Sequence, residues 1–410
     1  NKLEGLNLMK KVLAINSGSS SFKFKLFSLP DEKVIAQGMA DRVGLKGSSF
    51  SVLLDDGTEH VTNIDIPDQE AAVSFLINAL KKYHAVESLD EIIGVGHRVV
   101  NGGEHFKDST IIDRQNLQKI YDLSDFAPLH NPAEARGIEA FMHVLPKVPQ
   151  VAVFDTSFHQ TLDPVHYLYS IPYEYYEKYR ARKYGAHGTS VHYVTLEAAK
   201  MMNKKPSDLK LIICHLGSGS SITAVKNGKS YDTSMGFSPL AGITMSTRSG
   251  DVDPSLLAYI MEKENLDRNQ MIDILNNNSG LLGISGISPD MRDLRDDMAH
   301  LSGDKKKRAD LARNIFINRI CRYIGAYIIE LGGVDGIIFT AGVGEHDAGV
   351  RAQVMNTLKF MGVVADLEKN KINQAGLITC PDSKIAVMLI PTNEELVIAR
   401  DTARIVSETK

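Results

Sequence analysis

Val12-Leu13-Ala14-Ile15-Asn16-Ser17-Gly18-Ser19-Ser20-Ser21-Phe22-Lys23-Phe24-Lys25-Leu26 carries the first decision about the fold. Val12 to Ile15 is an apolar run of strand length, and Asn16 to Ser21 is a turn of small polar residues. Phe22, Phe24 and Leu26 then alternate with Lys23 and Lys25, which is the two-residue period of a half-buried strand. The stretch predicts a hairpin closed by a small-residue turn. The pattern returns far downstream. Leu211 to Cys214 is apolar, His215 to Ser221 is a Gly- and Ser-rich turn, and Ile222 to Val225 is the return strand. Asn227-Gly228 then reads as a two-residue hairpin turn. Two such units predict a duplicated core. A third, Gly336 to Thr340 followed by Ala341-Gly342-Val343-Gly344-Glu345, reads as a strand, a Gly loop and a helix from about Gly349.

Working outward, a helix is expected over Pro132 to Leu145, with Asn131 as its cap and Pro132 in its first turn. Another is expected over Glu394 to Ser407, capped by Thr392 or Asn393. Leu311 to Leu331 is apolar but carries Arg313, Arg319, Arg322 and Glu330, so it is an amphipathic core helix rather than a membrane span. Strands alternating with helices make the chain an α/β protein. At 410 residues it exceeds one ordinary domain, and the boundary between halves is expected near 150–165, with the last helix packing back on the first half.

Composition narrows the function. Hydrophobic content of 43% and charged content of 23% are those of a soluble globular protein. A net charge of −4 with no basic stretch argues against a nucleic-acid partner. Cys214, Cys321 and Cys380 are sparse and odd in number, which points to a reducing compartment and no disulfide framework. Neither Cys-x-x-Cys nor His-Glu-x-x-His occurs, so no zinc site is indicated. Asn1 to Leu8 lacks the apolar core of a signal peptide, and residues 1–8 read as a cloning remnant ahead of Met9. The expectation is a cytoplasmic protein with no membrane association.

Three Gly and Ser loops, each directly after an apolar strand, suit the close approach of backbone N–H groups to a phosphate chain. Any one of them alone is equally a tight turn, and none is a P-loop or a dinucleotide fingerprint. Arg98, in Gly96-His97-Arg98-Val99-Val100, and Arg248, in Thr247-Arg248-Ser249-Gly250-Asp251, sit among small or apolar residues. A guanidinium there suits a planar oxyanion, although Arg248 pairing with Asp251 or Asp253 is an equal alternative. Among the 13 histidines, His130 lies at a helix start, His187 stands close to glycines on both sides, and His215 opens the second loop. Asp155 follows the strand-like run Val151 to Phe154, a favoured place for catalysis in α/β folds, or else it caps a helix. Asp290 and Asp293 alternating with Arg292 and Arg295 read as a solvated ion-pair face, and Glu394-Glu395 as first-turn acids complementing a helix dipole.

Together these residues resemble a known family. Asn16-Ser-Gly-Ser-Ser-Ser-Phe-Lys23 is similar to the first signature of the acetate kinases, and Met235 to Pro254, with Thr247-Arg-Ser-Gly-Asp251 inside it, to the second. Gly96-His-Arg-Val-Val100, Val153-Phe-Asp-Thr156, His187-Gly-Thr-Ser190 and Pro391-Thr-Asn-Glu-Glu395 match in the same order, from about Val12 to Arg404. The resemblance implies two actin-like ATPase (ribonuclease H-like) domains with a duplicated core and a central cleft. It divides the chain into residues 9–157, joined by the C-terminal helix 393–409, as the carboxylate side, and residues 158–392 as the nucleotide side.

The resemblance also implies phosphoryl transfer from ATP to acetate by direct in-line attack, with Mg2+ or Mn2+ and a symmetric homodimer. By match, Asn16 and Glu394 position the metal. Lys23, His215, Leu216, Gly217, Ser218, Gly219, Asp290, Met291, Arg292, Gly342, Val343, Gly344, Glu345 and His346 bind the nucleotide. Arg98 and Arg248 hold the carboxylate and the moving phosphoryl group, His187 stabilises the transition state, Asp155 orients metal, water or nucleophile, and His130 lies nearby. Val100, Leu129, Ala186 and Pro239 wall the acyl pocket.

Three positions depart from the family pattern: Ala186 where Phe is usual, Ser218 where Asn is usual, and Ser246 where Gly is usual. Ala186 opens the alternative of a propionate or butyrate kinase, because a missing ring enlarges the pocket. A non-catalytic nucleotide-binding regulator is a lesser alternative, since such a protein has no use for the carboxylate-side arginines.

Overall fold

The computed structural model describes residues 10–128, 130–295 and 301–409, so Leu129 and the expected remnant at 1–8 lie outside the described residues. The chain divides into two compact units. One runs to Ser157 and resumes at Asn393, and the other spans Phe158–Thr392.

The first unit is built on the predicted hairpin. β1 (Lys10–Ser17) and β2 (Phe22–Leu29) pair antiparallel, with Asn16 opposite Lys23. β3 (Val34–Asp41), β4 (Ser49–Leu54) and β5 (Glu59–Asn63) extend that side. β6 (Ile92–Val99), β7 (Thr110–Ile111) and β8 (Gln150–Phe154) complete an eight-stranded sheet of order β5-β4-β3-β2-β1-β6-β8-β7. β6 is parallel to β1, and β8 is parallel to β6. On one face the helices Gln69–Lys82 and Asn131–Val144 bury Leu76, Ile77 and Phe141 against Leu13, Ile15 and Phe24. On the other, the helix Glu394–Glu408 lies against β6 at a place where side chains would obstruct it. A Cβ on Gly94 or Gly96 would come within 2.8 Å and 2.2 Å of Thr402, so glycine is what lets this helix seat.

The second unit repeats the core. β9 (Lys210–Leu216), β10 (Ser220–Lys226), β11 (Lys229–Thr233), β12 (Gly336–Thr340), β13 (Gly376–Leu377) and β14 (Ala386–Leu389) form a six-stranded sheet of order β11-β10-β9-β12-β14-β13. β9, β10 and β11 are antiparallel, and β12 and β14 run parallel to β9. The run β11-β10-β9-β12-β14 thus reproduces β3-β2-β1-β6-β8 in order and direction, which is the duplicated core of the actin-like ATPase fold. The helix Gly303–Leu331 buries Phe316, Ile320 and Ile324 against Ile212, Cys214 and Ile222 on one face. The helix Gly188–Met201 packs Val191, Val194 and Ala198 against Leu211, Ile213 and Ile338 on the other. Among the described residues no helix is long and apolar enough to cross a membrane.

Two local readings are corrected, and a third, left between two residues, is decided. Helix Asn131–Val144 is capped by His130 rather than Asn131, because the Asn131 side chain is drawn into the interior. Its Nδ2 donates to Asn101 O at 2.8 Å and its Oδ1 accepts the Asn101 N–H at 3.2 Å. The stretch after β12 is not an open Gly loop but a short helix, Ala341–His346, ahead of Ala348–Thr357. It begins with Ala341 in the left-handed region (φ 65°), and the Ala341 N–H is tied down by Glu345 Oε1 at 2.9 Å. The C-terminal helix has Asn393 as its cap, with Oδ1 accepting the Leu396 N–H at 3.2 Å.

Candidate active site

In the first unit the functional side chains gather at the C-terminal ends of the parallel strands. Arg98 comes from the end of β6, and Asp155 directly follows β8. Asn16 is near the end of β1, one residue past the Ile15–His97 register pair, which places it beside Arg98 on the neighbouring strand. Asp155 is 2% exposed and takes the Arg98 guanidinium in a two-point grip. Arg98 Nη2 donates at 2.7 Å, and Nε donates at 3.1 and 3.2 Å to the two carboxylate oxygens. The Asp155 charge raises Arg98 above its ordinary value, against the effect of burial. This grip uses the Nε–Nη2 edge, and the Arg98 side chain keeps 24% of its surface exposed.

Two further carboxyls stand around that pair. Glu394, in the first turn of the C-terminal helix, is pushed up to about 7 by burial, with Arg98 pulling the other way and Asp155 adding to the rise. Glu134, in the first turn of helix Asn131–Val144, is 3% exposed and is pushed up to about 8, again by burial first. Glu134 Oε2 accepts the Val100 N–H at 2.9 Å. Next to Asn16, the Ser17 hydroxyl is enclosed without a hydrogen-bond partner. A buried carboxyl short of positive charge, an amide oxygen and an orphaned hydroxyl form a hard-oxygen set that fits a hydrated Mg2+ or Mn2+. Lys23 faces Asn16 across the hairpin, and the two share a groove of ≈ 280 Å³ with Lys25 and Glu395. His130 is exposed ahead of its helix, and Val100 is buried just after β6.

The second unit carries a cleft of ≈ 620 Å³ lined by the turn Gly217-Ser218-Gly219, by Ser246 to Arg248, by Pro289 to Arg292, and by Gly342, Val343 and His346. Of the sequence-predicted nucleotide residues in this unit, His215, Leu216, Gly344 and Glu345 do not line it. His215 and Leu216 end β9 beneath the turn, and Glu345 is occupied with the Ala341 and Thr392 N–H groups at 2.9 and 3.1 Å. The acids at the cleft are committed. Asp290 grips Arg292 at 2.5 to 3.1 Å, and Asp347 takes Arg313 at 3.4 Å. Arg248 is different. Among the described residues no carboxylate reaches it: Nη1 donates only to Pro239 O at 3.2 Å and lies 4.0 Å from the Met245 sulfur. Burial alone acts on it, and lowers its pKa. Asp251 is instead bound to the Gly242 N–H at 2.8 Å and to the Tyr323 hydroxyl, and Asp253 caps the helix Pro254–Glu264.

His187 completes this half. It sits in the left-handed region (φ 59°) as the residue before helix Gly188–Met201, its Nδ1 is 2.9 Å from Ser221 Oγ, and its ring stacks on His215 at 4.0 Å. His215 Nδ1 is in turn 2.9 Å from Ser190 Oγ, itself 2.7 Å from Thr392 Oγ1. A Cβ built on Gly219 would lie 3.4 Å from Arg248 Nη1 and 3.5 Å from His187 Nε2, so both side chains converge on the bare backbone of that turn. A half-buried guanidinium without a carboxylate, an imidazole and a glycine-flanked turn can receive a multiply charged oxyanion. Ala186 is buried against Met235 and Met245. The departures at Ser218 and Ser246 meet each other, the Ser246 N–H donating to Ser218 O at 3.2 Å.

A family model described as the acetokinase family matches residues 11–400. The chain belongs to the acetokinase family. Among its relatives, the acetate kinase of Enterococcus faecalis is 52% identical over 400 residues, covering 97% of this chain and all (100%) of that one. The crystal structure of Porphyromonas gingivalis acetate kinase matches with a TM-score of 0.91 at 41% identity, covering 97% of this chain and 100% of that one. A propionate kinase from Francisella tularensis matches with a TM-score of 0.89 at 38% identity, over 97% and 100% of the two chains. These structural likenesses extend over both acetokinase units.

Sequence reasoning did not single out Glu134, the Asn101–Asn131 pair or the Ser190–His215–Thr392 chain of hydrogen bonds. Glu134 resembles any first-turn acid, and the other groups find their partners only through tertiary contact. Among the described residues one His–Asp–Glu group, His166, Asp232 and Glu330, has ligand atoms within 4.8 Å of one another. Lys183 Nζ, 2.5 Å from Asp232, already supplies a cation there, and none of the three lines the cleft.

Proposed function

We propose that this chain works by direct in-line phosphoryl transfer from ATP to acetate, giving acetyl phosphate and ADP, with the reverse reaction on the same groups. The observation that carries this reading is Arg248. A half-buried guanidinium with no carboxylate partner, beside His187 and a glycine-flanked turn in a ≈ 620 Å³ cleft, is suited to a phosphate.

The chemistry needs charge management rather than a base. A short carboxylic acid has a pKa close to that of a glutamate, about 4.3, so it arrives ionised at neutral pH. Its difficulty is repulsion from the phosphate chain. Arg248 and His187 neutralise the equatorial oxygens of the moving phosphoryl group, a role worth roughly 10³–10⁵ in rate for a transition-state arginine. Arg98, aligned by Asp155 through its Nε–Nη2 edge, offers its remaining edge to the substrate carboxylate. Gly217 to Gly219, Asp290 to Arg292, Gly342, Val343 and His346 hold the nucleotide, with Lys23 as a further contact and His215 supporting the turn from beneath. Asn16 and Glu394 hold Mg2+ or Mn2+, which when bound supplies charge neutralisation on the phosphate oxygens. By the family match, the acyl contacts are assigned to Val100 in the first unit and to Ala186 and Pro239 in the second, and His130 is assigned with them.

A second reading, preference for propionate or butyrate, is favoured by Ala186 and opposed by Met235 and Met245, which already fill the space next to it. Three unpaired cysteines support a cytoplasmic setting. We also propose a homodimer, for which exposed Ile171, Tyr173, Tyr175 and Tyr179 offer apolar surface.

The test is acyl phosphate formation from Mg-ATP, trapped as the hydroxamate, with acetate, propionate and butyrate side by side. Acetate ahead supports the reading. A longer acid ahead makes Ala186 the specificity residue. No product from any acid refutes the reading.

A further inference from the structure

Glu134 is a buried carboxyl that the reaction as described does not use. It is 3% exposed, its Oε2 accepts the Val100 N–H at 2.9 Å, and Val100 stands two residues after Arg98 in the chain. The charges that act on it are Asp155 and Arg98, the two members of the grip at the ends of β8 and β6. Glu394 reaches the same pair from the C-terminal helix. Of the other titratable groups on or against helix Asn131–Val144, Arg136 and His130 are exposed, and three more are engaged with other partners. His97 Nε2 is 2.8 Å from Gln150, Tyr121 donates to Glu139 at 3.1 Å, and His143 is 2.7 Å from Glu70. Three carboxyls therefore surround one guanidinium, and Asp155 already takes two of its donor groups.

We propose that Glu134 is a positioning residue for the carboxylate substrate: it anchors the Val100 backbone beside Arg98, and its own carboxyl opposes an incoming carboxylate electrostatically at that guanidinium. This rests on the assignment of Arg98 to the carboxylate side. A proton on Glu134 removes the opposition while leaving one oxygen free to accept the Val100 N–H. An ionised Glu134 places a further negative charge beside Asp155, in a place of low dielectric where like charges act strongly. Burial, aided by Asp155, moves this carboxyl up to about 8, so the exchange falls in a range where the enzyme can be assayed. The affinity for the carboxylate is then linked to pH through a residue that does not touch it, whereas the affinity for ATP is not.

The experiment measures KM for acetate, KM for ATP and kcat between about pH 6.5 and about pH 9.5 for the intact protein, for Glu134→Gln and for Glu134→Ala. For the unsubstituted protein, KM for acetate rises as pH passes through the Glu134 transition and then levels, without a matching rise in KM for ATP. Glu134→Gln keeps an acceptor for the Val100 N–H and loses the charge, so its KM for acetate no longer climbs with pH. Glu134→Ala removes the acceptor, so its KM for acetate is raised at every pH. A rise in Glu134→Gln as steep as in the unsubstituted protein, or a flat profile in the latter, overturns the proposal. If no turnover is seen at all, the failure belongs to the assigned function. The same three proteins are then compared by 13C NMR of carboxyl-labelled acetate, where equal pH dependence of binding in all three overturns the role of Glu134.

Discussion

Arg98 and Arg248 are assigned to the same reaction, yet the structure predicts unequal consequences for stability when each becomes alanine. Arg98→Ala leaves Asp155, 2% exposed, without the guanidinium that grips both of its oxygens. Breaking a fully buried pair costs about 3–5 kcal/mol. Since Arg98 keeps 24% of its side chain in solvent, about 2–3 kcal/mol is the better expectation. For a unit of this size that lowers Tm by roughly 5–10 °C. Arg248→Ala removes a half-buried cation that no carboxylate compensates and loses one hydrogen bond to oxygen, to Pro239 O at 3.2 Å. The lost bond and the relieved desolvation offset each other to within about 1 kcal/mol. Both variants lose turnover, by roughly 10³-fold or more. Calorimetry on the two proteins beside the hydroxamate assay reads both quantities. An Arg248→Ala protein that melts as early as Arg98→Ala, or an Arg98→Ala protein with unshifted Tm, refutes the assigned electrostatics. Near-normal turnover in both refutes the assigned chemistry.

Gly219→Ala places a methyl 3.4 Å from Arg248 and 3.5 Å from His187, an ordinary contact for packing but one in the path of a bound phosphate. Tm should move by no more than about 2 °C while kcat/KM for ATP falls roughly 10²-fold, as a small misplacement of a reacting group does; an unchanged kcat/KM removes the phosphate from that turn. Arg351 is fully buried and donates to Asn370 Oδ1 and O, Gly344 O and Asn373 Oδ1, at 2.6 to 2.8 Å. Arg351→Lys cannot reproduce that fork and should lose about 2–4 kcal/mol in a denaturant titration, and a loss under about 1 kcal/mol contradicts the network. Glu134 and Glu394 are raised on folding from 4.5 to about 8 and about 7. Between those limits the native state binds more protons than the unfolded one, so their contribution to stability is fullest at acid pH and is lost as pH rises toward 8. Glu134→Gln should flatten that decline in melts taken from about pH 5 to about pH 9, and an unaltered slope places the protons elsewhere.

How much of this was legible in the sequence depends on the range of the interaction. The hairpins were legible because Phe22, Phe24 and Leu26 alternate with lysines, and Asn227-Gly228 needs no tertiary help to turn: both residues take positive φ, 56° and 76°. The cap of helix Asn131–Val144 was misread because local preference favours Asn at the cap, while Asn101 offers the same side chain two buried hydrogen bonds. The Gly342-Val343-Gly344 stretch was read as an open loop because glycine disfavours helix, yet Glu345 reaching back to the Ala341 N–H closes a turn there. Arg248 shows the converse limit. Asp251 and Asp253 stand close enough in sequence to neutralise it, and only three-dimensional placement shows both engaged with other groups.

The two copies of the core share strand order and direction but have diverged in charge, and on the reading proposed here that divergence accounts for the division of labour. At the strand ends of the first unit one guanidinium stands among Asp155, Glu394 and Glu134, with Asn16 and the orphaned Ser17 hydroxyl beside them. Such a place is short of positive charge, and a divalent cation relieves it. At the equivalent turn of the second unit, Arg248, His187 and His215 stand with hydroxyls and bare backbone, and the acids lining the cleft are already paired. Such a place is short of negative charge, and a phosphate chain relieves it. A chain built from two copies of either half has the charge for only one side of the reaction. On the reading proposed here, the activity follows from loading the two copies with opposite deficits.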